Sequence, residues 1–124
     1  MGTNDEFKKK LINRAFVLAR NVISLVDKFP NKRSAWVVSD QLIRAATSIG
    51  ANIIEAQAAS SRRDFVNFLN YALKSGNETK FWLALSKDIA PIHLEEINSL
   101  LKEVDELVRI LGSSISTLKG KNKL

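Results

Sequence analysis

Apolar residues recur along most of the chain at alternating intervals of three and four, which is the period of an amphipathic α-helix. This pattern predicts four helices, over about residues 5–28, 32–58, 62–89 and 94–118. No segment alternates in the manner of a β-strand, so the sequence predicts an all-α fold. The fourth helix has the most regular heptad, which consists of Ile97, Leu101, Val104, Val108, Leu111, Ile115 and Leu118.

Capping and helix-breaking residues mark the ends of these segments. Thr3, with Glu6 three residues later, is expected to form a capping box at the start of the first helix. Pro30 ends that helix, and Ser61 is a favourable N-cap for the third. Gly76 costs about 1 kcal/mol relative to alanine inside a helix, so the sequence leaves open a break in the third helix.

Long helices joined by short connections pack against their sequence neighbours in opposite directions. The expected architecture is an antiparallel up-down-up-down four-helix bundle, which forms a single domain over residues 1–118. Residues 119–124 are expected to be a basic, frayed tail. In the second helix, Trp36, Ile43 and Ile54 widen the core stripe to one side.

Residue types that build catalytic or metal centres are scarce. The chain contains no Cys and a single His, His93, which lies in a predicted turn. The sequence contains no Glu-x-x-His pair of the kind that forms a di-iron site in a helical bundle, and it contains no glycine-rich phosphate-binding loop. We therefore expect no enzymatic activity, no catalytic residues, no metal and no cofactor. Since no apolar run approaches the ~20 residues of a membrane helix and no secretory signal is present, the expected location is the cytoplasm.

Charge is distributed unevenly along the chain. The formal net charge is +6, and residues 1–87 hold 14 Lys and Arg against 7 Asp and Glu. Residues 88–118 hold 2 against 6, so the fourth helix is acidic. A basic surplus over most of the chain favours a polyanionic partner such as nucleic acid, although solubility alone explains a surplus of this size nearly as well.

A polar stripe runs along one side of the second helix, where small amides and hydroxyls replace the lysines typical of a solvated face. Small residues let helices approach closely, and their polar groups then need partners. We expect Arg44 to pair with Glu55 or Glu78; the alternative is that the stripe is simply the solvated side of the helix. The resulting polar seam, within the chain or between subunits, consists of Gln41, Arg44, Ser48, Asn52, Glu55, Ser75 and Glu78.

Several motifs at fixed spacing connect these helices to a known family. Phe29-Pro30 follows the first helix, a Gln-x-x-Arg-Ala-x-x-Ser-Ile-x-x-Asn-Ile-x-Glu run begins at Gln41, and a Phe-Leu-x-x-Ala-x-x-Ser-x-x-Glu run begins at Phe68. With these motifs the sequence resembles the bacterial intervening-sequence proteins, which are encoded in inserts within large-subunit ribosomal RNA genes. The same family includes the accessory variability protein of diversity-generating retroelements. The likeness covers roughly residues 10–118.

The resemblance implies a four-helix bundle that assembles into a basic, ring-shaped homo-oligomer, most simply a pentamer. For the retroelement branch it also implies a nucleic-acid partner and a reverse transcriptase partner, and the sequence does not decide between the two branches. Two positions depart from the family pattern. Ala56 stands where the family usually has Gly, and Gly50 stands where it often has Pro and a kinked helix.

Two functions are compatible with these observations. The first is an oligomeric accessory protein that binds RNA or DNA through the phosphate backbone, since Lys and Arg side chains of this kind do not read bases. The alternative is a protein–protein interaction scaffold without nucleic-acid binding, for which the acidic fourth helix would supply a surface. Under the first hypothesis, the candidate phosphate contacts are Lys8, Lys9, Lys10, Arg14, Arg20, Arg62, Arg63, Lys119, Lys121 and Lys123.

Overall fold

The computed structural model describes the backbone of residues 2–122 and the side chains of residues 5–120. Within that range the chain forms helices α1 (Gly2–Val26), α2 (Arg33–Gln57), α3 (Arg62–Ile89) and α4 (Leu94–Asn122), with a 3-10 turn, Pro91–His93, before α4. Each helix packs against its sequence neighbours, and α4 also packs against α1, which closes the bundle. The predicted all-α, four-helix fold is therefore confirmed.

The helices extend further into polar sequence than the apolar pattern predicts. α1 begins at Gly2, so Thr3 lies inside the helix and not at its N-cap, which makes the predicted capping box wrong. α4 continues to Asn122, beyond the expected end at residue 118. The physical reason is that the apolar period marks only the buried part of a helix, whereas the backbone stays helical through polar residues until a strong breaker occurs.

The start of α3 follows the prediction. The backbone N–H of Asp64 donates a hydrogen bond to the hydroxyl of Ser61 at 3.1 Å, and Ser61 itself has extended backbone geometry. This bond satisfies one of the N–H groups that a helix leaves free at its first turn. Arg62 and Arg63 follow this cap in the first turn of α3.

Gly76 does not break α3. The helix is continuous from residue 62 to residue 89, and Gly76 is buried. A Cβ atom at this position would lie only 2.7 Å from Cγ2 of Val108 on α4. Gly76 therefore allows α3 and α4 to approach more closely than any larger residue would permit. Gly50 lies against Ala15 of α1, and α2 also runs through it without interruption.

The core is aliphatic and continuous along the bundle axis. Two of its buried hydroxyls bond back to their own helix: Thr79 donates to the Ser75 carbonyl at 2.7 Å, and Ser86 to the Trp82 carbonyl at 2.8 Å. No buried side-chain nitrogen or oxygen in the described range lacks a hydrogen-bond partner. The largest fully buried apolar side chains are Leu18, Leu25, Leu42, Ile49, Ile53, Leu83, Ile97, Leu107 and Leu111.

None of the helices described here combines the length and the hydropathy that a membrane-spanning helix needs.

Candidate nucleic-acid interface

Most carboxylates of α4 form ion pairs within the chain, chiefly with cations of the neighbouring helices. Arg14 of α1 forms a two-pronged interaction with Glu103, at 2.9 Å through Nε and 2.7 Å through Nη2, and also reaches Glu106 at 3.1 Å. Further ion pairs join Lys28 to Glu96, Lys80 to Asp105 and Arg109 to Asp105. Most of the acidic charge of α4 is therefore used to dock this helix against α1 and α3.

Arg14 is for this reason removed from the set of phosphate contacts. Its hydrogen bond to Glu103 raises the pKa of the guanidinium still further above its usual value, with Glu106 adding to the effect and partial burial opposing it. The sequence contains a signal for this role, because Arg14 lies three residues after Leu11 and four before Leu18, at the edge of the core stripe. A cation at that edge points toward the neighbouring helix.

Several of the remaining candidate cations meet at one end of the bundle. Lys8 near the start of α1 and Arg62 at the start of α3 line the same cleft. Arg63 and Lys119, from α3 and the end of α4, line an adjacent depression. These residues are 111 positions apart at the extremes of the set, and the antiparallel topology brings them together. We call Lys8, Arg62, Arg63 and Lys119 the basic end.

Two of the other predicted phosphate contacts lie near the basic end, and a third lies further along α1. Lys9 and Lys10 are exposed on the adjacent faces of α1, so they add to the positive charge there. Arg20 lies about 18 Å further along α1, where its guanidinium is 5.9 Å from the ring centroid of Phe16. The side chain of Lys121 and the whole of Lys123 lie outside the described residues.

The basic end also contains carboxylates, but they do not cancel its charge. Asp5 and Glu6 are exposed in the first turns of α1. Asp64 accepts a hydrogen bond from Ser60 at 3.3 Å, and its backbone is held by the Ser61 cap. Together with Lys9 and Lys10, the cations at this end outnumber these carboxylates. An excess of positive charge on one small surface attracts phosphate groups.

The predicted polar seam is only partly assembled within the chain. The hydroxyl of Ser75 donates to Ser48 Oγ at 2.9 Å, which joins α3 to α2. Asn52 donates to the carbonyl and the hydroxyl of Ser48 at 2.9 and 3.0 Å. Gln41 forms no hydrogen bond to the described residues.

The expected ion pair of Arg44 does not form within the chain. Arg44, Glu55 and Glu78 are exposed, and none of them contacts an opposite charge in the described part of the chain. For Glu55 the reason is simple distance, since 11 residues along one helix span about 16 Å. These three charges are left available on the outer surface of α2 and α3.

Several large apolar side chains of α1 and α2 lie in solvent, among them Trp36 and Ile54, which the sequence pattern places beside the core stripe of α2. Trp36 and Ile54 on α2 are 56% and 54% exposed, and Phe16 on α1 is 59% exposed. Ile23 on α1 is exposed as well, and we call these four side chains the outer α1–α2 face. Large apolar side chains in solvent are candidate contacts for a partner.

Within the described residues, no three His, Asp or Glu side chains come close enough to hold a metal ion. The features above define a small all-α bundle with a basic end and an exposed apolar face. The chain belongs to the family of 23S rRNA-intervening sequence proteins, whose family model matches residues 8–113. The family resemblance drawn from the sequence motifs is thereby confirmed at this level.

Comparison with solved structures supports the same fold. The crystal structure of a protein of unknown function from the S23 ribosomal protein family of Bacteroides thetaiotaomicron VPI-5482 is similar, with a TM-score of 0.80 and 37% sequence identity. The match covers 88% of this chain and 97% of that one. Among curated proteins, none matches this chain significantly.

Proposed function

We propose that this protein is a non-enzymatic, cytoplasmic accessory protein that binds RNA or DNA through the phosphate backbone at the basic end. The observation that carries the proposal is the division of charge described above. The carboxylates of α4 are engaged by Arg14, Lys28 and Lys80, whereas Lys8, Arg63 and Lys119 converge on one end without an ion-pair partner in the described residues. The positive surplus is therefore concentrated where a nucleic acid can reach it.

The family is described by its connection with 23S ribosomal RNA, so RNA is the first ligand to test. Partnership with a reverse transcriptase in a diversity-generating retroelement is the other branch of the proposal. An adjacent reverse transcriptase gene would favour that branch, and a surrounding ribosomal RNA gene would favour the first.

Self-association is part of the proposal. The outer α1–α2 face and the unpaired charges Arg44, Glu55 and Glu78 are surfaces that a second copy of the chain would cover. A closed ring, with five copies as the proposed number, would present five basic ends to one nucleic acid. Binding through several linked sites raises the overall affinity without any new contact.

A protein–protein scaffold is the second candidate, and the exposed apolar face is the observation that favours it. The acidic face of α4 does not favour a scaffold, because most of its carboxylates already form ion pairs with cations of this chain. The two candidates differ in their response to nucleic acid, so a binding titration separates them.

The titration uses fluorescently labelled RNA and DNA of mixed sequence at about 50 and 200 mM salt. We expect both to bind at the lower salt, with an affinity that falls by at least tenfold at the higher salt, because each neutralised phosphate adds about 0.9 to the salt slope on duplex DNA. Sequence changes are expected to matter little, since the contacts are to the backbone. Failure of both nucleic acids to bind at 50 mM salt would favour the scaffold.

Self-association is tested by placing charge on the outer α1–α2 face. The double variant Trp36→Glu, Ile54→Glu is expected to sediment with the mass of the single 13.8 kDa chain, whereas the wild type sediments as an oligomer. The control, Ile92→Glu with Leu94→Glu, adds the same charge at exposed apolar residues just before α4 and at its first position, and should remain oligomeric. A wild-type chain that sediments as a monomer at micromolar concentration would contradict the ring.

A further inference from the structure

A cleft opens at the basic end of the bundle. It has a volume of about 530 Å³ and lies between the start of α1, the end of α2, the start of α3 and the end of α4. Its floor consists of core side chains, Leu11, Ile53, Leu69 and Leu111. A volume of this size lies within the range of about 300–1,000 Å³ that is typical of small-ligand sites.

The wall of the cleft offers hydrogen-bonding groups that are not used inside the chain. The hydroxyls of Ser113, Ser114 and Thr117 line it and form no hydrogen bond to the described residues. The buried hydroxyls of Thr79 and Ser86 bond to a carbonyl of the preceding turn, whereas Ser113 and Thr117 are exposed. The α4 hydroxyls of the cleft are therefore free to bond to a ligand.

Two aromatic rings stand at the entrance beside the cations. Phe7 is 48% exposed, and the partly buried ring of Phe65 lies under the ammonium of Lys8 at 5.9 Å. Flat apolar rings next to positive charge are the combination on which unpaired bases stack in proteins that bind single strands. An alkyl chain would suit the floor but carries no negative charge to place beside Lys8.

We propose that the cleft takes an unpaired base of the bound strand, whose neighbouring phosphates lie against Lys8 and Arg62. This inference rests on the proposed function and adds a preference for single strands. A base in a duplex is stacked and paired, so it cannot enter the cleft, whereas a base in a single strand can. Backbone contacts alone favour the duplex, because its charge density is higher. Tighter binding of the single strand than of the duplex would therefore indicate that the protein contacts the bases.

The experiment compares a labelled 12-nucleotide RNA with the same RNA annealed to its complement, at one fixed salt concentration. Wild-type protein is expected to bind the single strand about tenfold more tightly than the duplex. The Phe7→Ala variant is expected to lose that preference by weakening only single-strand binding, by about tenfold. The matched control, Phe81→Ala, removes a ring that is 58% exposed on α3 outside the cleft, and should behave as the wild type.

The possible failures are distinguishable. Equal affinity of the wild type for single strand and duplex would overturn the base-binding cleft and leave the proposed function standing. A single-strand preference that survives Phe7→Ala unchanged would also overturn the cleft. Absence of binding to both RNAs would overturn the cleft and the proposed function together.

Discussion

Reversing three charges of the basic end, with Lys8→Glu, Arg63→Glu and Lys119→Glu, is expected to weaken RNA binding by at least tenfold at about 100 mM salt. Each substitution replaces a group that attracts phosphate with one that repels it. The salt slope should also fall by about 0.9 for every duplex phosphate contact that is lost. A titration by fluorescence anisotropy at several salt concentrations measures both effects.

The control for this variant changes net charge by the same amount elsewhere. Lys32→Glu, Arg33→Glu and Lys102→Glu alter cations at the start of α2 and on α4, none of which has an ion-pair partner in the described residues. Glutamate is well tolerated at the start of α2 because it is stabilised by the helix dipole. If both triple variants lose affinity equally, total charge governs binding and the basic end has no special role.

The second prediction concerns the stability that the close packing of α3 against α4 gives to the bundle. Gly76→Leu is expected to lower the free energy of unfolding by about 3 kcal/mol, since a Cβ atom alone would overlap Val108 at 2.7 Å and the core has little room to adjust. The melting temperature, compared at equal protein concentration, should fall by about 10 °C. Circular dichroism on heating measures the change.

Gly112 provides the matched control within α4. A Cβ atom at Gly112 meets no atom within 4 Å, so Gly112→Leu removes a helix-destabilising glycine without a clash. We expect this variant to melt at or slightly above the wild-type temperature, because leucine is favoured over glycine by up to about 1 kcal/mol in a helix interior. If Gly76→Leu melts like Gly112→Leu, the close approach of α3 and α4 at Gly76 is wrong.

The fold could be predicted from the sequence because the helical period is regular and the ends of α3 are marked by Ser61 and Pro91. The period does not separate apolar residues that face the core from those that face a partner. Trp36 and Ile54 continue the stripe of α2 yet lie in solvent, and only the position of α1 and α3 around α2 decides this.

For the candidate site, too, the sequence pattern predicts some features, whereas others depend on where the neighbouring helices lie. Lys8, Arg62, Arg63 and Lys119 are visible as cations, and an up-down-up-down topology is enough to bring them to one end. Arg14 could not be distinguished from them by residue type, because its role depends on Glu103 of α4, 89 positions away. The cleft was not predicted, because its volume depends on how the side chains at the ends of four helices pack together.

The most direct test of the basic end is lysine footprinting, in which free and RNA-bound protein are acetylated and the modified lysines are quantified by mass spectrometry. RNA bound at the basic end should protect Lys8 and Lys119 severalfold, while Lys32 and Lys102 react as they do in the free protein. Equal protection of all four lysines, or protection of Lys32 and Lys102 alone, would contradict the account.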